Sequence, residues 1–219
     1  MSVGDSRAAR LLGGDQFSFA DAVGGWRGLL ESAAPGIVFV GAFIGWGGWL
    51  VPVAASLGTV AVLAIVRAVQ RSALTQVFSG VLGVGVGAIW AWRSGDASGY
   101  FVPGLWANAA YLVGTLVTMV ARWPAAGIVI GLVHGIGTTW RRDPVAMRLS
   151  QWATAVLASV FAVRLAVELP LYFADEVAAL GTAKLALGLP LFALALWLMW
   201  LIVRPVGRKP EPLDQPPPT

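Results

Sequence analysis

The sequence predicts an all-α fold: a polytopic membrane helix bundle of six transmembrane helices plus a short re-entrant or interfacial helix. Three observations predict it. The 219 residues are 58% hydrophobic and only 12% charged, with a mean hydropathy of +0.76, whereas a soluble domain carries about 25% charged residues. Too few charges remain to cover a water-facing surface, so lipid must cover part of it. The apolar residues fall in runs of about 20, the length that crosses a hydrocarbon core as a helix. The basic residues gather at the ends of those runs, so a pI near 10.1 reads as membrane orientation and not as nucleic-acid binding.

The opening stretch, 1–23, is polar and lacks the continuous apolar core of a cleavable signal peptide. The membrane domain spans 24–204. No charge occurs between Glu31 and Arg67, which is too long for one span and fits a hairpin of helices near 31–47 and 53–69. Gly47, Gly48 and Pro52 supply its turn, and Trp46 and Trp49 suit the interface. The third span is 72–92, closed by Arg93, Ser94 and Gly95. The fourth is about 102–121, closed by Arg122, Trp123 and Pro124.

Residues 125–135 are apolar but too short to cross. Asp143 and Pro144 have the identities of an N-cap and first helical residue, opening a fifth span over about 145–168 that Pro170 breaks. The sixth runs from about 180 to 203. The tail, 205–219, is proline-rich and polar, and cannot bury enough apolar surface to fold.

Six spans with the N-terminus inside leave a strong charge asymmetry. Inside segments hold Arg7, Arg10, Arg27, Arg67, Arg71, Arg122, Arg141, Arg142, Arg148, Arg204, Arg208 and Lys209. Of fifteen basic residues, only Arg93, Arg164 and Lys184 fall outside. The expected location is therefore the cytoplasmic (inner) membrane, multi-pass, with both termini cytoplasmic. The last external loop carries Glu168, Asp175 and Glu176.

Arg164 and Lys184 interrupt apolar helices near their outer ends. Glu168 lies one turn after Arg164, where an i,i+4 pair forms; Lys184 has Asp175, Glu176 and Glu168 as candidate partners. The cluster reads either as an outward-facing polar pocket for an anion or proton, or as snorkelling side chains and a salt bridge tying the fifth and sixth helices. The fourth helix adds a stripe, Asn108, Tyr111, Thr115 and Thr118, spaced 3, 4 and 3 and continuing to Arg122. It reads as the lining of a solvated path or as interhelical packing. A shorter stripe, Thr75, Gln76 and Ser79, lies in the third helix.

Glycines and serine at four-residue spacing permit close approach of helices: Gly41 and Gly45; Ser79, Gly83 and Gly87; Gly127, Gly131 and Gly135. His134 ends the short apolar segment, either as a titrating gate or as an ordinary interfacial residue. With no cysteine and one histidine, disulfides and thiolate chemistry are excluded, and no metal or other cofactor is expected.

Four segments, GGWRGLLESAAPGIVFV (24–40), ALTQVFSGVLGV (73–84), WRRDP (140–144) and RLAVELPLYF (164–173), resemble an actinobacterial family of membrane proteins, the domain-of-unknown-function family numbered 3159, over about 24–204. A second pattern is similar to the YciB/intracellular septation protein A family. It comprises Pro35 to Phe39, a fourth span followed by a short apolar piece, Trp152 in the fifth span, and Lys184 opening the last. Arg164 and the Ala183–Lys184 pair depart from that pattern, so Lys184 alone carries across.

The septation resemblance implies a non-enzymatic envelope or membrane-organising role. The intramembrane charges support an alternative, a small channel or transporter subunit for an ion or small solute. A lipid-handling enzyme has only the membrane location in its favour. The expected partners are the lipid bilayer and other membrane proteins or a second copy of the chain.

Overall fold

The structure, a computed structural model, describes residues 25–70, 75–133 and 135–205. The polar tails, Arg71 and His134 lie outside the described residues, as do the side chains of Thr75, Gln76 and Ser79. Every described element is helical: α1 Gly25–Trp46, α2 Leu50–Val69, α3 Thr75–Ser94, α4 Val102–Val120, α5 Ala125–Val133, α6 Pro144–Phe173, α7 Val177–Ala186 and α8 Leu189–Val203. One-turn 3-10 helices at Ser98–Phe101 and Thr139–Arg142 precede α4 and α6.

Four helical segments are long and apolar enough to cross a membrane: Leu50–Val69, Ser98–Val120, Pro144–Phe173 and the α7–α8 pair, Val177–Val203. In the last, only 6% of the most apolar window is buried by the chain itself, so its apolar faces require lipid or a partner. The apolar part of α1, Ala33–Trp46, is shorter. α5 has nine residues, about 13 Å at 1.5 Å each, less than half the hydrocarbon thickness.

The α1–α2 hairpin forms as its glycines dictate. Gly47 and Gly48 both adopt positive φ, 66° and 61°, where a Cβ would be strained. Pro52 lies in the first turn of α2, where its missing N–H has no helical partner to lose, and not in the loop. At the opposite end of the hairpin the two residues bounding its uncharged stretch meet: Arg67 Nε donates to Glu31 Oε2 at 2.6 Å.

The hydrophobic core sits at one end of the bundle, where the α1–α2, α3–α4 and α6–α7 connections gather. Phe39, Val53, Ala88, Ala91, Phe101, Val177 and Leu180 form it. Phe39 stacks on Tyr100 at 4.2 Å and meets Phe101 edge-on at 5.3 Å. We call this the core end. The opposite end, with Arg67, Arg122 and the Thr139–Arg142 turn, is the arginine end.

Two expected helix boundaries are corrected. Pro170 does not end the fifth span: α6 runs through it to Phe173. A proline costs the helix one hydrogen bond and a clash with the carbonyl four residues earlier, and here that falls in the last turn. Ala174 N then donates back to the Pro170 carbonyl at 3.0 Å. The sixth span, expected as one helix, is divided at Leu187 and Gly188 into α7 and α8. Pro190 is the reason: it removes the amide that would bond to Ala186 and crowds that carbonyl, so α8 restarts with Pro190 in its first turn. Asp143 and Pro144 match their expected roles, the Asp143 side chain accepting from Val145 N at 2.8 Å.

The glycine spacings have mixed outcomes. Gly41, Gly45 and Gly83 face open space. Gly87 is covered by Tyr100, whose backbone oxygen lies 2.8 Å from where a Cβ would be. Gly127 and Gly131 receive the indole of Trp140 and not another long helix.

Candidate functional site

The intramembrane charges come together where α4, α6 and α7 meet, toward the core end. Glu168 is wholly buried. The i,i+4 spacing on α6 brings Arg164 Nε to its Oε1 at 3.3 Å. From α4, Asn108 Nδ2 donates to its Oε2 at 3.4 Å. Both carboxylate oxygens thus have a donor, which is the condition for burying a carboxylate.

Lys184 reaches the same region from α7. Its ammonium lies over Gly104, in the space a Cβ would occupy, and 5.2 Å from the centre of the Phe101 ring. It is within electrostatic reach of Glu168 and Arg164. Gly104 is one turn before Asn108 on α4, so one helix face provides both the opening for the lysine and the amide for the glutamate. Two basic side chains, Arg164 and Lys184, thus share one buried carboxylate.

Asp175 and Glu176 do not join the cluster. Both are exposed in the α6–α7 turn. Glu176 precedes α7 and is eight residues from Lys184, about 12 Å along a helix. Of the carboxylates considered for Lys184, Glu168 is the one the structure brings near.

The stripe on α4 divides. Asn108 and Thr115 are buried, while Tyr111 is exposed and packs on Phe161 of α6 at 5.3 Å between ring centres. Thr115 and Thr118 direct their hydroxyls to carbonyls of their own helix, at Leu112 and Tyr111 and at Thr115. Such back-bonding satisfies a hydroxyl without a partner helix. Residue spacing groups Asn108 with the α4 hydroxyls and does not anticipate its link to Glu168. One signal was present: Asn108 is the sole amide in α4, and an amide inside an apolar helix needs a polar partner.

At the arginine end a cleft of about 380 Å³ is lined by Arg122, Arg141, Arg142, Pro144 and Met147. Trp140, 3% exposed, seats the turn carrying two of these arginines against Gly127 and Gly131 of α5. α5 in turn is held to α6 by Ala126 N donating to Thr154 Oγ1 at 3.1 Å. Among the described residues, no group of three or more His, Cys, Asp or Glu is placed to hold a metal ion.

The family model described as "Protein of unknown function (DUF3159)" matches residues 23–210. No curated protein and no solved structure matches the chain.

Proposed function

This chain belongs to the DUF3159 family; we propose that it is a polytopic cytoplasmic-membrane protein with a non-enzymatic role in organising the envelope or membrane, acting through helix and loop contacts. The observation that carries this reading is the internal pairing of the polar cluster. Asn108, Arg164 and Glu168 turn toward one another across two helices, with Lys184 of a third beside them. Polar groups so arranged hold α4, α6 and α7 in one packing. The similarity to the septation-protein family and an actinobacterial origin belong to the same proposal.

In this reading α1, α2, α3, α4, α6 and the α7–α8 pair cross the bilayer, and α5 does not. Both termini are inside. Arg67, Arg122, Arg141 and Arg142 at one end, against Arg93 and Lys184 toward the other, support that orientation. The chain has no native cysteine, so single cysteines report sidedness. Glu176→Cys is expected to react with a membrane-impermeant maleimide in intact cells, and Thr139→Cys only after lysis. The reverse pattern overturns the orientation.

The role itself is tested by deleting the gene in its host. Altered envelope sensitivity or division, restored by the wild-type chain, is the expected result. Normal envelope, division and membrane-protein assembly would overturn it. One observation favours the second reading, a small channel or transporter subunit: Arg164 and Lys184 are two basic residues beside a single buried carboxylate. Liposome flux above that of empty vesicles, lost in Lys184→Met, would establish that reading in place of the first.

A further inference from the structure

We propose that Arg122, Arg141 and Arg142 form a binding site for a phosphate-bearing anion, an anionic phospholipid headgroup or free phosphate, in the cleft at the arginine end of α4 and α6. It uses none of the residues of the buried cluster and does not depend on the role proposed above.

The position comes first. Arg122 follows the end of one candidate span, Ser98–Val120, and Pro144 opens another, Pro144–Phe173. A cleft between them lies at headgroup level, whichever side of the membrane it faces. Basic pockets between helix ends at that level are where lipid phosphates are bound.

The three arginines are not tied up in ion pairs: among the described residues, none of them forms a salt bridge with a carboxylate. The nearest acid in sequence, Asp143, is engaged by the Val145 amide as the cap of α6. Arg141 is held in place by stacking, its guanidinium carbon 4.0 Å from the centre of the Trp123 ring, which leaves its donors available. Trp140 anchors the turn from below.

Arg122 supplies an independent observation. It has φ +56° at the C-terminus of α4, where Arg122 N donates to the Met119 carbonyl at 3.0 Å and Trp123 N to that of Thr118 at 2.9 Å. This is the helix-ending motif in which glycine is the favoured residue, because a Cβ is strained there. The same motif ends α6 with Asp175 at φ +56°, but aspartate tolerates that conformation far better than arginine. An arginine held against its backbone preference, with its side chain lining a basic cleft, is strain retained for a guanidinium. Pro144 and Met147 add an apolar wall that suits the glycerol and first methylenes of a lipid.

The experiment uses the purified full chain in detergent and native mass spectrometry with phosphatidylglycerol, phosphatidylcholine and inorganic phosphate as probes. Wild type is expected to retain phosphatidylglycerol in preference to phosphatidylcholine. Arg141→Gln with Arg142→Gln should lower that binding by at least about tenfold. Arg122→Gly should also lower it, while its melting temperature stays level or rises; a merely structural arginine would not separate the two. Binding of inorganic phosphate with the same arginine dependence, and no preference among lipids, assigns the site to free phosphate. Unchanged phosphatidylglycerol binding in Arg122→Gly and in the double variant overturns the proposal. An equal loss in Arg93→Gln, outside the cleft, does so too.

Discussion

Glu168→Ala lowers the unfolding free energy of the detergent-solubilised protein by about 3 kcal/mol, the scale for removing one partner of a buried ion pair. The carboxylate is fully buried and is the acceptor for both Arg164 and Asn108. Its loss strands an amide and leaves Arg164 and Lys184 without an acid partner at the α6–α7 contact. Glu168→Gln separates charge from shape: it keeps an acceptor for Asn108 but not the anion, and should cost nearly as much. Restoring apolar balance with Arg164→Met, Glu168→Leu and Lys184→Met together should recover most of the stability, because well-packed apolar residues replace buried ion pairs at little or no cost. Chemical unfolding of the four proteins measures this. A triple variant as unstable as Glu168→Ala contradicts an electrostatic origin. A stable triple variant that fails to complement a deletion strain would instead give the charges a role in function.

Trp140→Ala is the second large effect, again about 3 kcal/mol, the range for a buried tryptophan replaced by alanine. The indole is 3% exposed and fills the face of α5 left open by Gly127 and Gly131. Its removal opens a cavity that a nine-residue helix cannot close from its own side chains. The turn at Thr139–Arg142 should loosen with it, so trypsin is expected to cut at Arg141 and Arg142 faster in the variant than in wild type. Gly131→Ala tests the same contact from the other side: a Cβ there meets the Gly137 carbonyl and the Trp140 ring, and overpacking costs about 1–3 kcal/mol. Unfolding curves that superimpose on wild type for both variants would refute this account of the α5 packing.

Much of the fold was legible in residue order because its signals are local. A helix crossing lipid must be long, apolar and bounded by polar residues, and each condition can be read from one segment. Gly47 and Gly48 therefore marked the hairpin, Asp143 and Pro144 marked the start of α6, and the shortness of α5 separated it from the long helices. Prolines were less legible. Pro170 and Pro190 carry the same local penalty, yet α6 continues through the first while the second separates α7 from α8. The difference lies in where each falls relative to its helix end.

Composition alone establishes an all-helical membrane protein, and an i,i+4 interval alone puts Arg164 and Glu168 on one helix face. Which distant groups meet depends on how the helices pack. Asn108 is 60 residues from Glu168, and its spacing places it in a different stripe. Gly104 carries no side chain to announce that Lys184 would lie over it. Asp175 and Glu176 were as plausible as Glu168 for that lysine until the turn carried them outward. Arg122 and the Arg141–Arg142 pair, separated by the whole of α5, reach one cleft for the same reason. Contacts between helices depend on how the helices are rotated and offset in packing, and no single segment encodes that.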